Sequence, residues 1–405
     1  MSNHRSTVIT GISELVTNDD ANGGVIRDAA LVMEGDRIAW VGRAHSAPDA
    51  DRRVGVEGRA LLPGWVDSHT HMVFAGDRTA EFEARMAGEA YAAGGINVTV
   101  AATRAASDSE LAATLLRLVG EARRGGTTVI ETKTGYGLTV ADEVRSARVA
   151  AEQADAVTFL GAHVVPDGSD PDAYLELVTG PMLEAVADHV SSVDIFCETG
   201  AFDETATRRV LEAATARALD VRLHANQLQN GPGVQLAVEY RARSVDHLGF
   251  LNDNDIEDLA ASWDGGTRGT VATVLPACDL STRMPLAPAR RLLDAGAVLA
   301  IASNCNPGTS YTSSMAFCVA TAVLQMRLSV REAVRAATLG GAMSLGMHED
   351  GWKDPRGIAQ PAVGVIRVGA RADLHLLDAP SATHLAYRPG VPVTRAVWRA
   401  GVQEV

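Results

Sequence analysis

Two histidines separated by one residue follow a short apolar run in the segment GWVDSHTH, which starts at residue 64. Alternate side chains of a β-strand point to the same face, so His69 and His71 can bind one metal ion from one side. Single histidines also end later apolar runs, at His163, His224 and His247. A histidine from an opposite strand would complete a facial set of ligands, and a metal held in this way can activate water. The spacing therefore predicts a centre with one metal ion.

Each of these histidines also has an ordinary structural interpretation. An isolated His-x-His pair is often a surface pair, and a lone histidine at a strand end is more often a core residue than a ligand. The combination favours a metal site, because five of the eleven histidines fall at the ends of apolar runs.

Other polar residues near these positions are candidates for substrate contacts. Tyr136 and Lys133 lie in TKTGYG, which can also be an ordinary glycine-rich loop. Arg78 follows the histidine pair in HMVFAGDR, a loop that must cross the mouth of the site. An arginine there can bind a carboxylate through two hydrogen bonds, or it can form a salt bridge with Asp77 or Glu81.

The elements that position these residues are short apolar runs that alternate with longer segments of helical periodicity. The apolar runs lie at 64–69, 127–134, 156–165, 191–198, 219–226, 243–249, 269–276 and 297–304. Eight runs with helical segments between them predict an α/β fold, a (β/α)8 TIM-type barrel, whose active site forms at the carboxyl ends of the strands.

The two ends of the chain differ from this pattern. Both contain short strand-like runs with glycine and aspartate at the turns, for example ALVMEGDRIAWVGR near the start and AVGVIRVGARADLHLLDAP near the end. Neither end has enough apolar length to fold alone, so we expect both to form one small β-sandwich domain. The predicted segments are 1–59, the barrel 60–350, and a linker with the second part of the sandwich, 351–405.

The composition is typical of a globular protein that acts on small molecules. The 405 residues are 46% hydrophobic and carry a net charge of −14, with no cluster of lysine and arginine, which argues against nucleic acid or an anionic membrane as a partner. No apolar stretch approaches the ~20 residues of a membrane-spanning helix, and the first residues do not form a secretion signal. We therefore expect a cytoplasmic protein, with its four cysteines reduced because none occurs in a CxxC pair.

Several motifs together resemble a known family. They are LLPGWVDSHTHMVFAGDRTAEFEAR, ETKTGYGL, FLGAHVVP, VDIFCETGAF, LHANQL, VDHLGF and NCNPGTS, with GARADLHLLD near the end. Over essentially its whole length the chain resembles imidazolonepropionase, the amidohydrolase-superfamily enzyme of histidine degradation. The resemblance implies one divalent metal ion, zinc or iron. It also implies a small carboxylate-bearing substrate, 4-imidazolone-5-propanoate, opened to N-formimidoyl-L-glutamate, and leaves a homodimer open as the assembly.

The resemblance assigns a role to each matching residue. The metal ligands would be His69, His71, His224 and the residue at position 304, which is Asn304 here. The catalytic set would be His247, which polarises the attacked carbonyl, with Asn304 and Gln227. The substrate contacts would come from Arg78, which holds the propionate, and from Tyr136, His163, Gln227, Asn306, Gly308 and Thr309.

The chain departs from the family at position 304. The family has an aspartate there that binds the metal and accepts the proton of the attacking water, whereas an asparagine amide has no useful basicity near neutral pH. Asn226 likewise stands where the family usually has an aspartate. Three neutral imidazoles would leave the metal its full charge and favour a bound hydroxide, but they bind the metal less tightly than a set with an anion. We therefore expect slow hydrolysis unless Asp246, Asp279 or His247 takes the proton.

Three hypotheses remain open at this point. The chain is a hydrolase of this type with a rearranged base, or a repurposed paralogue that catalyses a cyclisation, dehydration or isomerisation on a related small substrate, or a non-catalytic binding protein. A deaminase of the same superfamily is disfavoured, because those enzymes move protons with a glutamate at the position of Gln227.

Overall fold

A computed structural model describes residues 6–88, 95–263 and 268–405. Two compact units are present, one formed by residues 1–67, 120–129 and 314–405 and the other by residues 68–119 and 130–313. Residues 314–350 thus belong to the same unit as the chain ends. The sequence placed them in the barrel segment, 60–350. The predicted domain boundaries stay a prediction. Within the described ranges, no helix combines the length and the apolar character that a bilayer span requires.

The secondary structure is numbered along the chain. The strands are β1 (Ser6–Val16), β2 (Val25–Glu34), β3 (Arg37–Arg43), β4 (Arg52–Pro63), β5 (Trp65–Asp67), β6 (Thr127–Lys133), β7 (Ala156–Ala162), β8 (Ser192–Cys197), β9 (Asp220–Ala225), β10 (Ser244–His247), β11 (Val271–Val274), β12 (Leu299–Ile301), β13 (Trp352–Lys353), β14 (Ala359–Gln360), β15 (Leu374–Leu377), β16 (Thr394–Arg399) and β17 (Val402–Gln403). The α-helices are α1 (Thr79–Met86), α2 (Ile96–Ala105), α3 (Asp108–Arg124), α4 (Val140–Ala151), α5 (Pro171–Leu177), α6 (Leu183–Val186), α7 (Glu204–Thr215), α8 (Gly233–Glu239), α9 (Asp253–Ala261), α10 (Pro276–Thr282), α11 (Ala289–Ala295), α12 (Met315–Gln325), α13 (Val330–Arg335), α14 (Gly341–Leu345) and α15 (His384–Tyr387). Short 3-10 and π turns lie at Asp20–Asn22, Ala44–Ser46, Val178–Met182, Ala187–His189 and Ala336–Gly340.

Strands from both ends of the chain form one seven-stranded sheet in the order β17-β16-β15-β4-β1-β2-β3. Strands β1 and β4 run parallel, and the other neighbours are antiparallel. Gly35, with φ of 60°, makes the tight turn between β2 and β3. Apolar side chains of β1 such as Ile9 and Leu15 pack with Leu374 and Trp398 from the other end of the chain. The small β-sandwich domain was predicted to contain both chain ends, and both ends do contribute strands to this one seven-stranded sheet.

The eight strands β5 to β12 form a second sheet in sequence order. Each lies inside one of the apolar runs found in the sequence, and the pairs from β6 to β12 are parallel. Beyond the ends of β5 and β12, Thr70 and Cys305 form a parallel bridge, and the Cys305 carbonyl accepts the His71 N–H at 2.9 Å. The predicted (β/α)8 barrel is confirmed, and its closure places the His-x-His segment beside the loop that follows β12.

A buried histidine lies in the unit that contains the chain ends. His375 on β15 has no exposed surface, and its ring meets that of Trp65 edge-on at 5.2 Å. Its Nε2 lies 2.9 Å from Thr394 Oγ1, while its Nδ1 has no hydrogen-bond partner among the described residues. Gly126, with φ of +99°, makes room for the ring, because a Cβ there would lie 2.5 Å from it. Burial lowers the pKa of His375 to about 3.

Acidification should therefore destabilise the protein through His375. Below the unfolded-state pKa of about 6.5 the unfolded chain takes up a proton at this site, whereas the folded chain stays neutral until near pH 3. The free energy of unfolding is therefore not reduced through this histidine above pH 6.5. Below that pH it decreases, by about 2 kcal/mol at pH 5. Urea unfolding of wild type and His375→Asn at pH 7 and pH 5 measures this, and the variant should show the smaller pH dependence. Equal pH dependence of the two proteins would contradict the prediction; His384→Asn is the matched control in the same unit.

Candidate metal centre

Three imidazoles meet at the carboxyl ends of the barrel strands. Nε2 of His71 lies 3.3 Å from Nε2 of His69 and 3.4 Å from Nε2 of His224. All three side chains are buried, and their ligating atoms lie within 4.8 Å of one another. The structure therefore brings together the three histidines that the sequence predicted as metal ligands.

Two buried carboxylates orient two of these rings. Asp246 Oδ2 accepts the Nδ1–H of His69 at 2.7 Å, and Asp194 Oδ1 accepts that of His224 at 3.1 Å. A proton on Nδ1 leaves the lone pair on Nε2, which faces the other histidines. Burial, reinforced by the charge of Lys133, lowers the pKa of His69 well below its usual value, and burial together with His69 does the same for His71. Neutral imidazoles with converging lone pairs are suitable donors for a divalent metal ion.

Each carboxylate has a cationic partner of its own. Lys133 Nζ lies 2.9 Å from Asp194 Oδ2 and 3.0 Å from Glu131 Oε1, with no exposed surface on any of the three side chains. Arg222 lies 3.5 Å from Asp246 Oδ2. Burial alone would raise the pKa of the Asp194 carboxyl, but His224 and Lys133 hold it well below its usual value. Lys133, which the sequence offered as a weak candidate for a substrate contact, is instead buried in ion pairs beneath the metal centre.

Asn304 lies beside the three histidines. Its backbone N–H donates to the His69 carbonyl at 3.0 Å, and its side chain is 2% exposed. The side-chain amide donates a hydrogen bond to the Cys278 thiol, and Oδ1 has no partner among the described residues. A buried oxygen acceptor without a donor is unusual in proteins and fits a position next to a cation. Asn304 has φ of 53°, in the left-handed region that asparagine and aspartate both tolerate.

Two other strand-end residues share this backbone conformation. Asn226 has φ of 53° and His247 has φ of 83°. Asn226 donates from Nδ2 to the Phe250 carbonyl at 2.9 Å, which is a structural contact. The ring of His247 lies 5.1 Å from that of His224, and its Nδ1 has no partner among the described residues. Burial lowers the pKa of His247 well below its usual value, so the ring is neutral.

A second group of donors shares His247. Its atoms and those of Cys278 and Asp279 lie within 4.8 Å of one another, and all three residues are buried. Burial raises the pKa of Cys278 to about 12 and that of Asp279 to about 8. The Cys278 thiol is therefore protonated at neutral pH, and Asp279 is mainly protonated there.

One cavity adjoins the centre. Of the predicted site residues, its lining includes His71, Arg78, Tyr136, His163, His224, Gln227, His247, Asn304, Asn306 and Thr309. His69 lies behind them as the third member of the histidine group. Gly308 does not line the cavity but lies against the Arg78 guanidinium.

The side chains around this cavity are held by nearby groups. His163 Nδ1–H donates to the Gly135 carbonyl at 3.0 Å, and burial lowers the pKa of this ring to about 3. Asn306 Oδ1 accepts the N–H groups of Gly308 and Thr309, both at 2.8 Å. Arg78 pairs with Glu81 at 2.6 Å, so the salt bridge considered from the sequence exists, and Arg78 nevertheless faces the cavity.

The chain resembles known proteins in sequence and in fold. Residues 60–403 match the model described as the amidohydrolase family. An adenosine deaminase from Xanthomonas campestris with bound zinc has the same fold, with a TM-score of 0.70 over 98% of this chain and 92% of that chain at 21% identity. Atrazine chlorohydrolase from Arthrobacter aurescens TC1, complexed with zinc, gives a TM-score of 0.70 over 98% and 95% of the two chains at 17% identity. The chain therefore belongs to the amidohydrolase family, and its barrel has the fold of these two solved structures.

Two curated relatives are much more similar. Imidazolonepropionase of Arthrobacter sp. (strain FB24) is 63% identical over 402 residues, which cover 98% of this chain and 99% of the relative. Imidazolonepropionase of Saccharopolyspora erythraea is 63% identical over 398 residues, 98% of each chain. The chain belongs to the imidazolonepropionase family. This result confirms the resemblance seen in the motifs, and it supports a hydrolase over the non-hydrolytic and non-catalytic alternatives.

Metal binding should depend on the three histidines and, less strongly, on the carboxylate behind them. We expect His224→Ala to lose the metal and Asp246→Asn to bind it about 10–100-fold more weakly, because a carboxylate that orients a ligand contributes about that much. Elemental analysis after dialysis against graded chelator measures the metal content of each protein. The control is His163→Asn, which alters a cavity-lining histidine outside the group and should retain the metal. Loss of metal from that variant but not from His224→Ala would place the ion elsewhere.

Proposed function

We propose that this chain binds 4-imidazolone-5-propanoate and hydrolyses a ring C–N bond to give N-formimidoyl-L-glutamate. The observation that carries the proposal is the cavity, whose lining includes His71, His224 and Arg78, in a chain 63% identical to an imidazolonepropionase over nearly its full length. A planar heterocycle with one acidic side chain matches both features, because neutral imidazoles face the ring and a guanidinium faces the acid.

Arg78 is the residue that orients the substrate in this proposal. The chain carries a net charge of −14, so a carboxylate is not attracted by the protein as a whole but by this arginine. Tyr136 and His163 flank the cavity with their rings 5.5 Å apart and are placed to contact the heterocycle. Gln227, Asn306 and Thr309 line the same cavity and offer amide and hydroxyl groups for the remaining polar atoms.

One divalent ion, zinc or iron, would be held by His69, His71 and His224, with Asn304 Oδ1 as a neutral further donor. The support for this set is the convergence of three Nε2 atoms and the buried Oδ1 that lacks a partner among the described residues. Such an ion polarises a carbonyl and lowers the pKa of water.

The proton of the attacking water needs an acceptor other than Asn304. Asp246 is bound to His69 and Arg222, and Asp279, with a pKa of about 8, is mainly protonated at neutral pH and does not line the cavity. His247 lines the cavity and has an Nδ1 without a partner among the described residues. We assign the proton transfer to His247. As the water oxygen bonds to the ring carbonyl carbon, His247 takes the water proton, and it returns that proton to the ring nitrogen when the C–N bond breaks.

The Asn304→Asp variant tests the function and this assignment together. Wild type should open 4-imidazolone-5-propanoate, and the variant should do so at least about 10-fold faster, because general-base catalysis contributes about 10²–10⁴-fold. The variant should also bind its metal more tightly, since a carboxylate adds an anionic ligand. Ring opening and metal content are measured on the same samples.

Two further variants complete this test. Asn226→Asp adds the same charge at another strand end with φ of 53°, and it should not raise the rate. His247→Asn should lower the rate of wild type by about 10²-fold or more, since it removes the proposed acceptor. If neither wild type nor Asn304→Asp opens the imidazolone when loaded with zinc or iron, the proposed function is wrong.

A further inference from the structure

Arg78 belongs to a group of charged side chains on helix α1. Arg78 immediately precedes the helix, Glu81 and Arg85 lie on it four residues apart, and both arginines pair with Glu81. We infer that Glu81 and Arg85, neither of which lines the cavity, determine how strongly the enzyme prefers a carboxylate-bearing substrate, by holding and charging the Arg78 guanidinium. This inference rests on the proposed function, in which Arg78 binds the substrate carboxylate.

Glu81 holds Arg78 by one edge. Arg78 donates from Nε to Glu81 Oε2 at 2.8 Å and from Nη2 to Glu81 Oε1 at 2.7 Å. A guanidinium has five N–H donors, and this side-on pair leaves the edge formed by Nη1 and the second N–H of Nη2. That remaining edge has the geometry for another carboxylate, so Glu81 and the substrate need not compete for the same donors.

Two glycines keep the guanidinium in this place. A Cβ at Gly308 would lie 2.0 Å from Arg78 Nη1, and a Cβ at Gly95 would lie 2.4 Å from Arg78 Nη2 and 2.1 Å from Glu81 Oε2. Any side chain at either position would displace the arginine. Gly308 was predicted to contact the substrate, but it does not line the cavity. Its role in recognition is indirect, because its lack of a side chain leaves room for the Arg78 guanidinium.

Arg85 supplies the charge that Glu81 would otherwise remove. Its Nη1 donates to Glu81 Oε1 at 3.1 Å, and its Nη2 donates to the Gly308 carbonyl at 2.9 Å. Arg78 and Glu81 alone would form a neutral pair, whereas Arg78, Glu81 and Arg85 together carry one net positive charge among the described residues of this group. Arg85 is 3% exposed, so this charge is weakly screened by solvent. Arg85 also ties helix α1 to the loop that contains Gly308.

The experiment compares two competitive inhibitors that differ only in the acid group, 3-(imidazol-4-yl)propanoate and its primary amide. The ratio of the amide Ki to the acid Ki measures recognition of the carboxylate, and the amide Ki itself reports whether the rest of the site is intact. Arg85→Met should lower this ratio at least 10-fold, because the cluster loses its net charge, with little change in the amide Ki. Arg85→Lys should restore part of the ratio. In turnover, Arg85→Met should raise KM more than it lowers kcat.

Glu81→Gln and Gly308→Ala test the positioning itself. Both should lower the ratio, the first because the guanidinium loses its fixed edge and the two arginines repel each other, and the second because the added methyl group displaces Arg78 without a change in charge. Glu83→Gln, on the exposed side of the same helix, is the control that should keep the wild-type ratio. A Glu81→Gln variant that binds the acid more tightly would show that Glu81 competes with the substrate, and the inference would then be wrong.

The outcome also separates this inference from the proposed function. If wild type does not prefer the acid to the amide, and Arg78→Met changes nothing, then Arg78 does not bind the carboxylate and the proposed substrate placement fails. If wild type prefers the acid and Arg78→Met removes the preference, while the Glu81, Arg85 and Gly308 variants keep it, the proposed function stands and only the inference drawn here is wrong.

Discussion

Two fully buried carboxylates, Asp194 and Asp246, determine the geometry of the centre. A buried carboxylate without a cationic partner is strongly unfavourable, and these two have Lys133 and Arg222. Each carboxylate in turn holds the Nδ1–H of one histidine. The charged layer formed by Asp194, Asp246, Lys133 and Arg222 therefore determines where the Nε2 lone pairs of His69 and His224 point. These imidazoles are oriented by the protein itself.

The same layer supports the His-x-His segment from another side. Lys133 also pairs with Glu131, whose Oε2 accepts the N–H of Thr70 at 3.1 Å, between His69 and His71. Thr70 returns a hydrogen bond from Oγ1 to the Glu131 carbonyl at 2.7 Å. The Lys133 ammonium group thus connects the segment after β5, which contains His69 and His71, to His224 on β9. A change at Lys133 would affect the whole centre, although this residue touches none of the three imidazoles through a hydrogen bond among the described residues.

The barrel and the proximity of the three histidines could be predicted from the sequence for a simple reason. Each apolar run is long enough for one buried strand, and the carboxyl ends of parallel strands meet at one face, so histidines at those ends had to be neighbours. The supporting layer was not predicted, because charged residues inside an apolar run, such as Asp194 and Arg222, do not reveal their partners on adjacent strands. Their unusual position within such runs was the available signal. The side-on pairing of Arg78 with Glu81 also could not be predicted from the sequence, because the three-residue spacing is the same whether the arginine is paired or free.

The backbone at Asn304 has a consequence for how this position can vary. Asparagine and aspartate have nearly the same shape, and both tolerate the left-handed conformation with φ of 53° found there. The backbone conformation of this loop therefore accepts either residue, although only asparagine can donate a hydrogen bond to the Cys278 thiol. The charge makes the difference, because a carboxylate buried at this position without a cation beside it would be strongly unfavourable, whereas the neutral Asn304 amide is not. An aspartate at this position would make the stability of the folded chain depend on a cation at the centre, and Asn304 relaxes that dependence.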